Sequence, residues 1–143
     1  MKEKRIGIEI RILANLICRW LNELGFNEEH NGLTGPQGLV LGYLYDHQDK
    51  DIFQKDIEAT FNIRRSTATG LLQCLEGNGF VKRVSVDYDA RLKKIVLTTK
   101  AHEFKELLES HIQKMEEILV KDLEPQEVDD LIRIIGKIKK NLE

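Results

Sequence analysis

The apolar residues of this chain keep the spacing of an α-helix along almost its whole length and depart from it once, between Val81 and Leu97. In that interval, two runs rich in β-branched residues, VKRVSV and KKIVL, flank the turn-like segment DYDAR. The sequence therefore predicts a mainly α-helical chain with one small β-hairpin. It also predicts a rather long loop, from Asp87 to Arg91, at the tip of that hairpin.

Two helices are predicted at the start of the chain. The first carries an apolar seam at alternating spacings of four and three residues, formed by Ile6, Ile10, Leu13, Ile17, Trp20 and Leu24. A polar loop at 27–32 separates it from the second helix. There, Thr34 and Gln37 have the spacing of a capping box, and Pro36 lies in the first turn.

The third predicted helix, over 52–61, is joined by a tight turn to the fourth, which starts in the segment NIRRSTATGLL. Two long amphipathic helices follow the hairpin, the first capped by Thr98 or Thr99 and the second beginning at Pro125. Two helices joined by a tight turn and followed by a hairpin predict a winged helix-turn-helix.

The segment NIRRSTATGLL gives the fourth helix two unlike faces. Its apolar positions, which predict the buried face, are Ala68, Leu71, Leu72 and Leu75. The polar positions on the other face and at the helix start are Arg64, Arg65, Ser66, Thr67, Thr69 and Gln73. Arginine binds guanine edges or phosphates, glutamine reads adenine, and short hydroxyl side chains let a helix lie close to a groove floor. These residues predict a DNA recognition helix. The alternative is a helix capped by Ser66 and Thr67 whose arginines are solvated.

Charge is distributed unevenly along the chain. Residues 64–100 contain eight basic and three acidic side chains, a net +5, whereas the remainder carries −7 and the whole chain −2. One basic segment on an acidic body is typical of a protein that meets a polyanion with a single face. A solvated charged surface is the alternative explanation.

Composition narrows the class of protein. With 143 residues, 41% hydrophobic and 32% charged, the chain has the size and polarity of a soluble globular protein. Its apolar runs are too short to span a bilayer, and the N-terminus has no apolar region of the signal-peptide kind, so we expect a cytoplasmic protein with no membrane partner. The two cysteines, Cys18 and Cys74, lack metal-binding or disulfide spacing and are expected to be small buried residues.

No class of enzyme is indicated by the sequence. It has no nucleophile–base arrangement, glycine-rich phosphate loop or HExxH motif, and its histidines form no pair at ligand spacing. We therefore expect no catalysis, no metal and no resident cofactor. The remaining alternative is a winged helix that binds protein instead of DNA, which would more often expose apolar residues on this helix and on the wing.

The run FQKDIEATFNIRRSTATGLLQCLEGNGFVKR, followed by DYDAR and LTTKA, resembles the MarR family of bacterial transcription regulators. The resemblance covers most of the chain, and its most specific parts are the hydroxyl-rich helix and the Asp-x-Arg pair of the wing tip. It implies a dimeric winged-helix fold whose first and last helices form the dimer interface. It also implies a pseudo-palindromic operator, a repressor role and, in many members, release of DNA when a small molecule binds.

Positions that match the family motif carry the implied DNA contacts. The implied major-groove or phosphate contacts are Arg65, Ser66, Thr67, Thr69 and Gln73, while Arg64 stands where the family commonly has a capping Ser or Asp. Arg91 would enter the minor groove, oriented by Asp89, while Lys93 and Lys94 would neutralise phosphates. Gly70 stands where family members often have an arginine.

Function is expected to divide along the chain. Residues 34–98 form the predicted DNA-binding region, and 1–33 together with 99–143 form the predicted helical dimerisation region. The predicted dimer contacts are the apolar residues Ile6, Ile10, Leu13, Ile17, Leu131, Ile135, Ile138 and Leu142. The expected partners are double-stranded DNA and a second copy of the chain.

A small-molecule effector, bound between the dimer helices and the winged lobe, is the expected switch. Candidate lining residues are Trp20, Phe26, Tyr43, Tyr45, His111 and Met115, most of which are better explained as core side chains. Redox sensing through Cys18 is the weaker alternative, because its basic neighbour Arg19 points away from it on a helix.

Overall fold

The structure is a computed structural model of the chain and describes residues 3–23 and 33–143. Within these residues the chain forms six α-helices and one antiparallel pair of strands. The elements are α1 (Ile6–Leu21), α2 (Gly35–Asp46), α3 (Gln54–Phe61), α4 (Arg65–Gly77), β1 (Val81–Val86), β2 (Asp89–Leu97), α5 (Thr99–Leu119) and α6 (Pro125–Leu142). This order confirms the predicted winged helix-turn-helix class. The predicted loop at 27–32 and the last seam residue, Leu24, lie outside the described residues.

The chain divides into two compact units, Met1–Glu109 and Ser110–Glu143. The first unit holds α1 to α4, the hairpin and the first half of α5, and the second holds the rest of α5 and α6. The expected division by function, with DNA binding at 34–98, stays a prediction.

The core of the first unit is built from the apolar faces of α2, α3 and α4 and from the base of the hairpin. Its fully buried large side chains include Leu33, Leu41, Ile57, Leu72, Leu75 and Phe80. Leu41, Ile57, Leu72 and Leu75 come from the apolar faces of the three helices, whereas Leu33 precedes α2 and Phe80 lies between α4 and β1. Burying these side chains removes the apolar surface of the helices and of their connections from water. This packing holds α4 by one face and leaves its polar face at the surface.

Capping contacts mark where the helices begin, as the sequence predicted. Gln37 Oε1 accepts a hydrogen bond from the backbone N–H of Thr34 at 3.3 Å, and Pro36 lies in the first turn of α2. Thr98 Oγ1 accepts a hydrogen bond from Ala101 N at 3.3 Å, which makes Thr98 the capping residue of α5. In α2, Tyr45 donates its hydroxyl proton to the carbonyl oxygen of Ala101, so the hydrogen bond ties α2 to α5.

The turn between α3 and α4 is as tight as predicted. Asn62 adopts a left-handed conformation, with φ of 50° and ψ of 52°, which lets the chain reverse within three residues. The prediction that α3 starts at Ile52 is wrong, since the helix begins at Gln54. The carbonyl of Ile52 instead accepts a hydrogen bond of 2.7 Å from the backbone of Ile95 in β2, which keeps this residue extended against the hairpin.

The long loop predicted at the hairpin tip is also wrong. Only Asp87 and Tyr88 form the turn, because Val86 already pairs with Asp89. The next pair joins Ser85 to Lys93, so β2 carries three extra residues, 90–92, opposite one step of β1. The irregularity lies in the strand, where pairing across the hairpin decides it and local turn chemistry does not.

The expectation that both cysteines are buried is wrong as well, since Cys18 and Cys74 are exposed. The buried stripe of α4 runs through Ala68, Leu72 and Leu75, and position 74 falls outside it. On α1, only Leu21 is fully buried, so Cys18 shares the exposure of its helix.

Candidate nucleic-acid interface

The first turn of α4 is exposed and positively charged. Arg64 occupies the N-cap position with φ of −75° and ψ of 157°, and in the described part of the chain no side chain caps this helix end. Arg65, Ser66 and Thr67 are exposed. The unsatisfied amides and the positive end of the helix dipole therefore add to the charge of the two arginines, which is the arrangement that binds phosphate.

A hydrogen-bond network joins the beginning of α3 to the beginning of α4. The Thr69 hydroxyl donates to the carbonyl oxygen of Arg65 at 2.9 Å. Gln54 donates from Nε2 to Thr69 Oγ1 at 2.9 Å and to the same carbonyl at 3.3 Å. Sequence reasoning missed Gln54, because its partners lie 11 and 15 residues away and no periodic pattern connects them. The predicted helix start at Ile52 also placed Gln54 two residues inside the helix instead of at its beginning.

The wing presents an arginine that is held in place by an aspartate. Asp89 Oδ1 accepts hydrogen bonds from the backbone N–H of Arg91 at 2.9 Å and from its Nε at 3.2 Å, while Oδ2 accepts from Nη2 at 3.2 Å. These hydrogen bonds from Arg91 keep the pKa of Asp89 below its ordinary value. The guanidinium is oriented by two contacts, yet the Arg91 side chain remains 90% exposed.

A cleft of about 740 Å³ brings α4 and the wing together. Its basic lining residues are Lys55, Arg65, Arg83, Arg91 and Lys93, and Gln54 and Thr69 lie on the same surface. Asp56 and Glu58 are its acidic members. Residues up to 40 positions apart in the sequence, from Phe53 to Lys93, thus share one predominantly basic concave face.

Two wing cations are already paired with carboxylates of the first unit. Arg83 Nε lies 2.7 Å from Glu76 Oε1 of α4, and Lys94 Nζ lies 3.5 Å from Asp51 Oδ1. Arg83 lines the cleft although the sequence did not single it out, whereas Lys94 does not line it. Lys93 and Lys94 therefore stand on different sides of β2, as alternation along a strand requires.

Both a family model and a solved structure of a DNA-bound protein match this chain. The model of the MarR family matches residues 31–92. MepR of S. aureus, solved in complex with DNA, superposes with a TM-score of 0.89 at 27% identity, covering 99% of this chain and 100% of that one. The chain is thus similar to MarR-family regulators over residues 31–92 in sequence and over nearly its whole length in fold.

Two further relatives extend the comparison. The transcriptional repressor YetL of Bacillus subtilis (strain 168) is 27% identical over 112 residues, which are 78% of this chain and 66% of that protein. The heme sensor protein PefR of Streptococcus agalactiae, solved in complex with heme, superposes with a TM-score of 0.65 at 28% identity, covering 97% of this chain and 95% of that one.

Two further positions on the predicted recognition face of α4 lie at the surface. Gln73 and Gly70 are exposed. A Cβ atom added to Gly70 would meet nothing within 4 Å, so the position is open toward solvent. Assignment of individual bases or phosphates to these residues stays a prediction.

The terminal helices carry the apolar surface that a dimer of the family would use. On α1, Ile6 is 68% exposed, Ile10 47% and Leu13 50%, and Ile17 is partly exposed. The corresponding residues of α6 are Leu131 (44%), Ile135 (41%), Leu142 (83%) and the partly exposed Ile138. Side chains of this kind are costly to leave in water, and their role as dimer contacts stays a prediction.

The candidate effector residues have packing roles where the structure describes them. Tyr43 contacts the rings of His47 at 4.1 Å and Phe61 at 5.9 Å, both distances measured between ring centroids. The other candidates inside the described ranges are the half-buried Trp20 and the buried Tyr45, His111 and Met115. Phe26 lies outside the described residues.

Residues 3–23 and 33–143 contain no cluster of three His, Cys, Asp or Glu side chains that could hold a metal ion. None of the helices in these two ranges is long and apolar enough to cross a membrane.

Proposed function

We propose that this protein is a MarR-type, sequence-specific DNA-binding regulator of transcription. The observation that carries the proposal is the shared cleft, in which Arg65 at the start of α4 and Arg91 and Lys93 of the wing lie on one face. Helix α4 enters the major groove, and Arg91 reaches the adjacent minor groove, where narrow A·T-rich steps attract a guanidinium. Since the DNA-facing residues are polar and charged, this surface fits a nucleic acid better than a protein partner.

The active form in this proposal is a homodimer built on the exposed apolar faces of α1 and α6. Two copies of α4 then enter successive major grooves about 34–36 Å apart, and the operator is pseudo-palindromic because the protein is two-fold symmetric. Dimerisation also doubles the basic segment presented to DNA, from +5 to +10 by the sequence count.

The regulator acts as a repressor that responds to a small molecule. A repressor among the relatives, YetL, and a heme sensor, PefR, support the two parts of this proposal. We assign no chemical class to the effector, and the proposal includes no catalytic step and no resident cofactor. A regulator of this kind works in the compartment that holds the chromosome, which is the bacterial cytoplasm.

The proposal is tested by incubating the purified full-length protein with sheared DNA of its source genome at near-physiological salt and sequencing the retained fragments. We expect a recurrent inverted repeat with half-sites about one helical turn apart. The double variant Arg65→Ala, Arg91→Ala is the control and should retain no recurrent sequence. Retention of fragments without any shared sequence by the unmodified protein would contradict the proposal.

A further inference from the structure

The hydroxyl proton of Thr69 is donated to an acceptor within the protein. A threonine hydroxyl has one proton and two lone pairs. In this structure the proton is donated to the Arg65 carbonyl at 2.9 Å, and one lone pair accepts from Gln54 Nε2 at 2.9 Å. Thr69 therefore has no proton left to offer a ligand in the cleft that it lines.

Both protons of the Gln54 side-chain amide are also donated to acceptors within the protein. Nε2 carries the two protons, and they point to Thr69 Oγ1 at 2.9 Å and to the Arg65 carbonyl at 3.3 Å. The reverse orientation of the amide would place Oε1 against a carbonyl oxygen, where two acceptors repel each other. The network therefore selects one orientation and leaves Oε1 as the polar side-chain atom of Gln54 that is free to act outside it.

Because their side-chain protons are donated within the protein, Thr69 and Gln54 can offer a nucleic acid only their remaining side-chain groups. The free features are acceptor oxygens and the γ-methyl group of Thr69, and neither kind of group binds a phosphate oxygen, which needs a donor. In the major groove, an apolar group fits the 5-methyl of thymine, and an acceptor fits the amino group of adenine or cytosine. An A·T pair presents a methyl group and an amino group together on one edge, which matches both features at once.

We propose that Thr69 is a specificity-determining residue that reads the 5-methyl of thymine through its own γ-methyl group, and that Gln54 is a positioning residue that holds Thr69 in this orientation. The inference rests on the proposed function and deepens it, because it assigns a base feature to one side chain of α4. Thr69 then contributes to the choice of sequence and contributes nothing to phosphate binding.

The experiment uses the operator recovered by genomic capture and replaces its thymines one at a time with 2′-deoxyuridine, which removes only the 5-methyl group. The full-length protein is compared with Thr69→Ser, which keeps the hydroxyl and loses the methyl, and with Thr69→Val, which does the reverse. At one thymine in each half-site, we expect deoxyuridine to weaken binding of the unmodified protein about fourfold. Thr69→Ser should lose this sensitivity. Thr69→Val should retain part of it, because the helix itself restricts χ1 of valine although the hydrogen bond from Gln54 is lost.

The inference would be overturned if Thr69→Ser kept its sensitivity to deoxyuridine and Thr69→Val lost affinity. If the Thr69 hydroxyl bound a phosphate, Thr69→Ser would keep full affinity and deoxyuridine sensitivity, while Thr69→Val would lose affinity on every duplex. Equal binding of the unmodified protein to all deoxyuridine duplexes would also overturn it. Absence of any recovered operator would instead count against the proposed function, so the two failures are distinguishable.

The role of Gln54 is tested with Gln54→Met, which has similar length and no donor. We expect deoxyuridine discrimination to fall, while the slope of log affinity against log salt stays unchanged because no phosphate contact is lost. Arg65→Ala is the control, since it should make that slope shallower. Discrimination at the unmodified level in Gln54→Met would overturn the positioning role, and a shallower slope would mean that Gln54 binds phosphate.

Discussion

Asp89 accepts hydrogen bonds from the guanidinium of Arg91 through both carboxylate oxygens, at 3.2 Å from Nε and 3.2 Å from Nη2, although the two residues are only two positions apart. The three extra residues of β2, 90–92, include Arg91 and lie beside the two-residue turn. The guanidinium is therefore directed before any ligand arrives, and most of it remains free.

Replacing Arg91 by alanine should weaken operator binding about tenfold or more, because the minor-groove contact is lost. Arg91→Lys should restore only part of the affinity, since an ammonium cannot form the two-pronged contact with Asp89. Fluorescence anisotropy at matched salt measures both effects, with Lys114→Ala on α5 as a charge-matched control. Equal affinity of the unmodified protein and Arg91→Ala would contradict the role given to the wing.

The pairing of Asp89 should depend on pH in a definite direction. Because its folded pKa is lowered by the hydrogen bonds from Arg91, the ionised pair contributes to stability above the ordinary aspartate pKa and is lost as the pH falls through the folded value. A pH titration of the side-chain carboxyl ¹³C signal of Asp89 should show a midpoint below the ordinary aspartate pKa. Arg91→Ala should bring the midpoint back, and an unchanged midpoint in that variant would contradict the assigned cause.

Removing the carboxylate of Glu76 should free Arg83 for phosphate. We expect Glu76→Gln to raise affinity for non-specific DNA and to steepen the slope of log affinity against log salt by about 0.9, the contribution of one additional phosphate contact. Stability should change by less than about 1 kcal/mol, because the pair is on the surface. Glu103→Gln on α5 makes the same change of charge away from the cleft, and an equal effect of both variants would indicate bulk charge alone.

A charge placed on the apolar face of α6 should separate the proposed dimer. Ile135 is 41% exposed in the single chain, so Ile135→Glu should leave the monomer folded but make its burial in an interface costly. Sedimentation should show a monomer, and specific DNA binding should be lost; Ile138→Glu should behave alike. Gln126→Glu introduces the same charge on the same helix and should remain dimeric. An intact dimer in Ile135→Glu would refute the assigned interface.

The hydroxyl of Tyr45 should stabilise the first unit at neutral pH. Burial, with a smaller effect of Glu109, raises the pKa of Tyr45 to about 12. The stability that goes with the neutral phenol is therefore complete below pH 10 and declines as the pH rises through about 12. Tyr45→Phe should cost about 1–2 kcal/mol, because it leaves the Ala101 carbonyl without this donor. Denaturant unfolding at neutral and alkaline pH measures both effects. A steep alkaline decline that persists in Tyr45→Phe would assign it to another group.

The pairing of Asp89 with Arg91 was implied by the resemblance to the MarR family. The sequence by itself determined the order of helices and hairpin and the two faces of α4. These features depend on residues a few positions apart, so periodicity, capping residues and turn chemistry were sufficient to predict them. The α3–α4 turn is such a case, since Asn62 tolerates a left-handed conformation at low cost.

Only the tertiary structure decided the two-residue turn of the wing, the pairing of Arg83 with Glu76 and the hydrogen bonds from Gln54 to α4. Each depends on where one element packs against another, which no local pattern encodes. The hairpin register follows from pairing between strands, and the Gln54 network follows from the angle at which α3 meets α4. The same packing that buries the apolar face of α4 turns Arg65 and Thr69 toward the cleft.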